Sequence, residues 1–115
     1  MSKRVVELAR KRRAYPVAIG DITLHIRALM ETEWITAREF EQSDASLGYA
    51  IGMCWVLDTG EPIYSQQPDE TSQEFGDRVL REANLPTDTR TELAQAIVKL
   101  SQAVKPKTMD AMVKN

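Results

Sequence analysis

Period-two alternation is clearest early in the chain. In Tyr15-Pro-Val-Ala-Ile-Gly-Asp-Ile-Thr-Leu-His-Ile-Arg-Ala28 two alternating runs meet at Gly20-Asp21. A two-residue loop of this kind suits a tight hairpin turn, because glycine accepts positive φ. The register that follows sets Ile19 against Ile22, Val17 against Leu24 and Tyr15 against Ile26, all on one face. Ala18, Thr23, His25 and Arg27 take the other face. Directly after the hairpin the period changes: Trp34, Ala37 and Phe40 (or Glu41) form a helical stripe across residues 31–42, with Glu31 or Thr32 near its N-terminus. Ser43-Asp-Ala-Ser46 breaks that stripe, and the helix either continues or restarts before Gly48.

Residues 50–57, AIGMCWVL, are apolar at both alternating sets of positions. Such a run predicts a central strand, buried on both faces. Asp58-Thr59-Gly60 then reads as a hairpin loop with Gly60 left-handed, and Pro62-Ile-Tyr64 as the returning strand. A buried helix through residues 47–56 is the alternative that the pattern leaves open. Two further helices are predicted. The first opens on the capping box Thr71-Ser-Gln-Glu74, or on Asp69, buries Phe75, Val79, Leu80 and Ala83, and ends near Asn84 and Pro86. The second opens on the box Thr89-Arg-Thr-Glu92 and presents Leu93, Ile97, Leu100 and Val104 at helical spacing. The short link between them predicts an antiparallel helical pair.

The expected fold is therefore α+β: an N-terminal β-hairpin and a second hairpin forming a small antiparallel sheet, packed with three to four helices. At 115 residues one domain is expected, with residues 1–14 as a basic N-terminal arm, 15–104 as the body and 105–115 as a mobile tail. Within the arm, residues 3–12 carry a short amphipathic helical pattern, too short to persist without docking. No internal repeat is found.

Composition adds charge asymmetry to this picture. Apolar residues are 43% and charged residues 28% of the chain, ordinary for a globular protein. The net charge of -2 conceals basic ends and an acidic body: residues 14–103 hold six Lys or Arg against fifteen Asp or Glu. An acidic body repels a phosphate backbone, so any attraction to nucleic acid must come from the arm, where Arg10-Lys-Arg-Arg13 stands without a base-reading motif. A solvated arm, or one docked on an acidic neighbouring subunit, is the preferred reading. No stretch reaches the roughly 20 apolar residues of a spanning helix. The first residues lack the apolar core of a secretory signal, so a cytoplasmic location is expected.

Candidate chemistry is sparse. His25 is the single histidine and falls on the polar face of the hairpin. Cys54, the single cysteine, sits in the most apolar run, where a small buried hydrophobe is expected and a reactive thiolate is not. Asp58-Thr59-Gly60 matches the aspartic protease tripeptide, but only one copy is present and all three are common turn residues. The pairs Glu39 with Glu41 and Asp69 with Glu70 read as solvated faces or caps. No glycine pattern for phosphate binding occurs. Trp34, Phe40 and Trp55 are expected in the core. No catalytic, metal or cofactor residue is assigned, and a non-enzymatic protein is expected.

The hairpin leading straight into a helix, the run Gly52-Met-Cys-Trp-Val-Leu-Asp-Thr-Gly-Glu-Pro-Ile-Tyr64 and the acidic start Pro68-Asp-Glu70 of two closing helices together resemble the tail assembly chaperones of long-tailed phages and prophages. The resemblance covers roughly residues 15–104. It implies a non-enzymatic chaperone that binds the tape measure protein and tail tube subunits during tail assembly, and that self-associates. The expected protein-binding residues lie in the two charged ends: Val5, Val6, Leu8, Arg10, Arg12, Arg13, Met109 and Met112. A small nucleic-acid-associated regulator using the basic arm is the alternative function.

Overall fold

In a computed structural model, which describes residues 14–40 and 43–103, the hairpin forms in the register that alternation dictates. Strands β1 (Tyr15–Ile19) and β2 (Ile22–Ile26) pair Tyr15 with Ile26, Val17 with Leu24 and Ile19 with Ile22. Gly20 has φ +62° while Asp21 is not in positive φ, the requirement of a type II′ turn. Ile19 and Ile26 are buried, whereas Ile22, beside the turn, is 51% exposed. In a two-residue hairpin the pair flanking the loop is hydrogen-bonded, so Pro16 and Ala18 turn their backbone groups to the free edge. A proline is harmless there, and it removes a donor through which another strand could pair.

The second hairpin is much reduced. Residues 43–54 are helical, and only Trp55–Val56 continues as β3, antiparallel to β2 with His25 opposite Val56 and Ile26 opposite Trp55. The expected central strand over 50–57 is thus corrected to helix as far as Cys54, in favour of the alternative. The returning strand survives as one bridge from Val56 to Pro62. The loop between is as expected: Gly60 has φ +91°, its N–H donates to the Leu57 carbonyl at 2.8 Å, and Leu57 N–H donates to the Glu61 carbonyl at 2.8 Å. The sheet is three-stranded, in the order β1-β2-β3, and the fold is α+β.

Among the described residues four helices pack with it: α1 (Glu31–Glu39), α2 (Ser43–Cys54), α3 (Ser72–Ala83) and α4 (Thr87–Ala103). The chain restarts a helix at Ser43, settling the break at residues 43–46. From Ala45 to Cys54 α2 is buried, except at Ser46, Leu47 and Met53, which are half-buried; with so little of it exposed, its sequence carries no single apolar stripe. The strongly amphipathic α3 has the expected capping box: Thr71 Oγ1 accepts from Glu74 N–H at 3.1 Å and Glu74 accepts from Thr71 N–H at 2.9 Å. It ends on Asn84 in the left-handed conformation, φ 48°. α4 begins two residues before the predicted box, at Thr87, with the Pro86 carbonyl accepting from Arg90 N–H at 3.0 Å.

The predicted antiparallel pair of α3 and α4 does not form. Both lie against α2 and have little contact with each other. An all-apolar helix offers each amphipathic helix a better surface than the other's stripe does, and it separates them. The core accordingly joins Ile19 and Ile26 of the sheet, Tyr49, Ile51 and Cys54 of α2, Phe75 and Val79 of α3, and Leu93 and Ile97 of α4. Where α2 crosses α3 the backbones nearly touch. A Cβ on Gly48 would meet the Gly76 carbonyl, and one on Gly52 would lie 2.6 Å from the Phe75 ring.

The connection from β3 to α3 is pinned by one side chain. Arg78 donates to Glu70 at 2.8 and 3.0 Å and to the Ser65 carbonyl at 2.9 Å, while its guanidinium stands 5.5 Å from the centre of the Phe75 ring. Glu70 is therefore an anchor and not the solvated or capping carboxylate expected. Its hydrogen bonds from Arg78 hold its carboxyl below the usual range, against a smaller desolvation effect.

Candidate functional site

The outward-facing helix α1 has no fully buried residue, so what holds it decides the shape of the surface beside it. Arg27, just past β2, forms a two-pronged ion pair with Glu33 in the first turn of α1, both hydrogen bonds 2.8 Å and the side chains only 14% and 13% exposed. Glu33 also accepts from Met30 N–H at 2.8 Å, serving the open N-terminus of α1. Burial opposes the charge on Arg27, but the hydrogen bonds to Glu33, together with the electrostatic influence of Cys54, Glu33 and Tyr49, raise the guanidinium pKa. Next in the chain, Leu29 N–H donates to Ser101 Oγ at 2.8 Å, and that hydroxyl donates to the Ile97 carbonyl at 2.7 Å. The far end of α1 is held by Ser46 Oγ, which donates to the Ala37 carbonyl at 2.8 Å, and by Phe40 against Tyr49 with ring centres 5.5 Å apart.

Held at its two ends, α1 stands off α4 and leaves an open groove of about 730 Å³. Leu47 and Ala50 of α2 form its floor; Trp34 and Ala37 of α1, with Ala94 and Val98 of α4, form its walls. The lining is mostly apolar. Two cations, Arg38 on α1 and Lys99 on α4, also line it, and neither is in an ion pair among the described residues. Trp34, expected in the core, is a groove wall, while Phe40 and Trp55 do pack on the core.

The residues singled out for chemistry have structural positions. His25 is half-buried in β2 between Pro16 and Val56. Asp58 and Thr59 form the exposed turn after β3. Cys54 is fully buried, and burial pushes its thiol up to about 12, only partly opposed by Arg27. Among the described residues no group of three His, Cys, Asp or Glu could hold a metal ion, and no helix is long and apolar enough to cross a membrane. The protein-binding residues expected from sequence, Val5, Val6, Leu8, Arg10, Arg12, Arg13, Met109 and Met112, lie outside the described residues.

The Cys54 environment has a measurable consequence. An unfolded thiol titrates near 8.5, so the stability gained from holding it protonated is complete below that pH and is lost as pH rises toward 12. Between pH 8 and pH 10 the advantage of the wild type over Cys54→Ala in urea unfolding is expected to shrink by roughly 2 kcal/mol. A constant difference would show that the folded thiol titrates normally.

The groove itself was missed in sequence, although a signal exists. Ala94 and Val98 repeat the spacing of the core pair Leu93 and Ile97 one position on, so the apolar arc of α4 is wider than its contact with α2 requires. Comparison with protein-family models, with curated proteins and with solved structures found no match to this chain.

Proposed function

We propose that this chain is a non-enzymatic tail assembly chaperone of a long-tailed phage or prophage, acting in the cytoplasm of the bacterial host on the tape measure protein and tail tube subunits. The observation that carries the reading is the apolar groove between α1, α2 and α4, which no other described residue covers. A groove walled by helices and open to solvent suits an amphipathic helix laid along it, the usual mode by which a helical segment of a long partner is held. The order of hairpin, helix, apolar run and closing helices that prompted the resemblance supports the same reading. A role without catalysis fits the side chains: Cys54 is buried and protonated, Glu33 and Glu70 are engaged by arginines, and Asp58 is a turn residue.

Self-association, which the resemblance implies, needs a surface other than the sheet borders. Pro16 lies on one and Pro62 on the other, and a strand that meets proline loses a donor needed for edge-to-edge pairing.

The test is co-expression of the tagged chain with the tape measure and tail tube proteins of the same tail gene cluster. A complex is expected on pull-down, and Val98→Glu is expected to abolish it while leaving thermal unfolding within a few degrees. Val98 suits this purpose because it lines the groove without belonging to the core cluster. No complex and no gain in partner solubility with the wild type would overturn the proposal.

A further inference from the structure

We infer that the groove selects an apolar helix with acidic flanks, and that Arg38 and Lys99 read those flanks. The inference rests on the groove being a docking site and adds the chemistry of its occupant.

Charge placement carries it. Residues 14–103 contain six cations among fifteen carboxylates. Arg27 and Arg78 are engaged by Glu33 and Glu70 within the fold. Of the other four, Arg38 and Lys99 both line the groove, one on each wall. The neighbouring carboxylates Glu39 and Glu92 are exposed but are not among the lining residues. An acidic body thus keeps two cations at the rim of this apolar groove, without internal partners among the described residues. Apolar contact alone would accept any greasy helix, whereas cations at the rim favour one bordered by Asp or Glu and repel one bordered by Lys or Arg.

The same charges decide among occupants. Both ends of this chain are basic, with Lys3, Arg4 and Arg10 to Arg13 at one and Lys105, Lys107 and Lys114 at the other, so neither complements Arg38 and Lys99. Among the described residues of a second copy the exposed large apolar side chains are Ile22, Met30, Ile35, Leu57 and Ile63, and of these Ile35 alone lies within a helix, so no helix of it presents a row of apolar anchors. A segment of a different protein meets both requirements. The groove runs along α4 from Thr91 to Lys99, about 12 Å of helix axis, which accommodates about two turns of a partner anchored at i, i+3 or i+4, and i+7.

Three synthetic helical peptides sharing one Leu/Ala face, with flanks of Glu, Gln or Lys, test the inference on the full chain by calorimetry and by amide and methyl shift mapping. A fourth peptide comprises residues 104–115. The Glu-flanked peptide is expected to bind about tenfold more tightly than the Gln-flanked one at low salt, with shifts at Ala50, Ala94 and Val98. High salt should erase most of that preference, and Arg38→Gln/Lys99→Gln should remove it, so that the Glu- and Gln-flanked peptides bind alike. Equal binding of all three flanks overturns the charge inference but supports the docking groove. A preference for Lys flanks, or tighter binding by the 104–115 peptide, overturns the assigned occupant. Absence of shifts at the groove with every peptide overturns the inference together with the groove. Failure of the tape measure pull-down alongside Glu-selective peptide binding rejects only the named partner.

Discussion

Gly76→Ala will unfold on the order of 10 °C below the wild type, although alanine is the better helix former by about 1 kcal/mol. The added Cβ would lie 2.5 Å from the Ala45 carbonyl oxygen and 3.0 Å from the Tyr49 nitrogen. Both are backbone atoms of a helix enclosed by core, so neither can rotate away as a side-chain tip would. α3 must retreat from α2, and with it Phe75 and Val79, which are fully buried against that helix. Overpacking of this kind costs typically 1–3 kcal/mol, and a contact with backbone belongs at the upper end. The clash therefore outweighs the gain in propensity by roughly 2 kcal/mol. Gly48→Ala meets the opposite wall of the same crossing, so the double variant should lose less than the sum, one separation relieving both clashes. A Gly76→Ala protein as stable as the wild type in thermal melts would show that the crossing is looser than described.

Arg27→Met should cost about 2–3 kcal/mol, measured by urea unfolding at neutral pH. Removing one partner of a fully buried ion pair costs 3–5 kcal/mol, because the other charge is left without compensation; the 14% and 13% exposure of these side chains admits some water and lowers that figure. Glu33 would keep only the Met30 N–H. Replacing both residues, as in Arg27→Met/Glu33→Leu, should recover at least half the loss, since an apolar pair of similar volume incurs no desolvation of charge. The coupling energy from the double-mutant cycle is expected above about 1.5 kcal/mol; a value near zero would reduce the pair to an ordinary surface salt bridge. The same variant bears on function. Arg27–Glu33 fixes the start of α1, and α1 forms one wall of the groove. Amides of α1 should therefore exchange faster in Arg27→Met, and groove peptides should bind more weakly even where the core remains folded.

Elements governed by neighbours in sequence were legible without coordinates. The hairpin register followed from six alternating apolar residues and a glycine-containing turn, and each of its pairings is present. The cap of α3 followed from Thr71 and Glu74, three residues apart, and Gly60 in positive φ from an Asp-Thr-Gly loop. The burial of Cys54 followed from its apolar surroundings. All of these depend on geometry set within about four residues, or on a two-residue reversal that brings its own strands together.

The run at 50–57 was ambiguous for a definite reason. Burial on every side makes both alternating sets apolar whether the segment is a central strand or a central helix, and the choice depends on what surrounds it. Here α1, α3 and α4 surround it, and Gly48 and Gly52, one helical turn apart, let α3 approach at backbone distance. The use of those glycines appears only when α3 arrives, with Gly76 opposite Gly48 and with Phe75 and Val79 opposite Gly52.

By itself, then, the sequence determined the α+β class, the hairpin with its register, the cap of α3, the acidic body and the poverty of reactive side chains, since each is a property of local spacing or of composition. The tertiary structure alone decided that 43–54 is the central helix, that α3 and α4 pack on it instead of on each other, and that Arg27 reaches Glu33 to hold α1 away from α4. The groove arises from that last placement. It is lined by α1 and α2, which are neighbours in sequence, and by α4, which is not; the wide apolar arc of α4 hints at an apolar face beyond its contact with α2, but cannot say what stands across it.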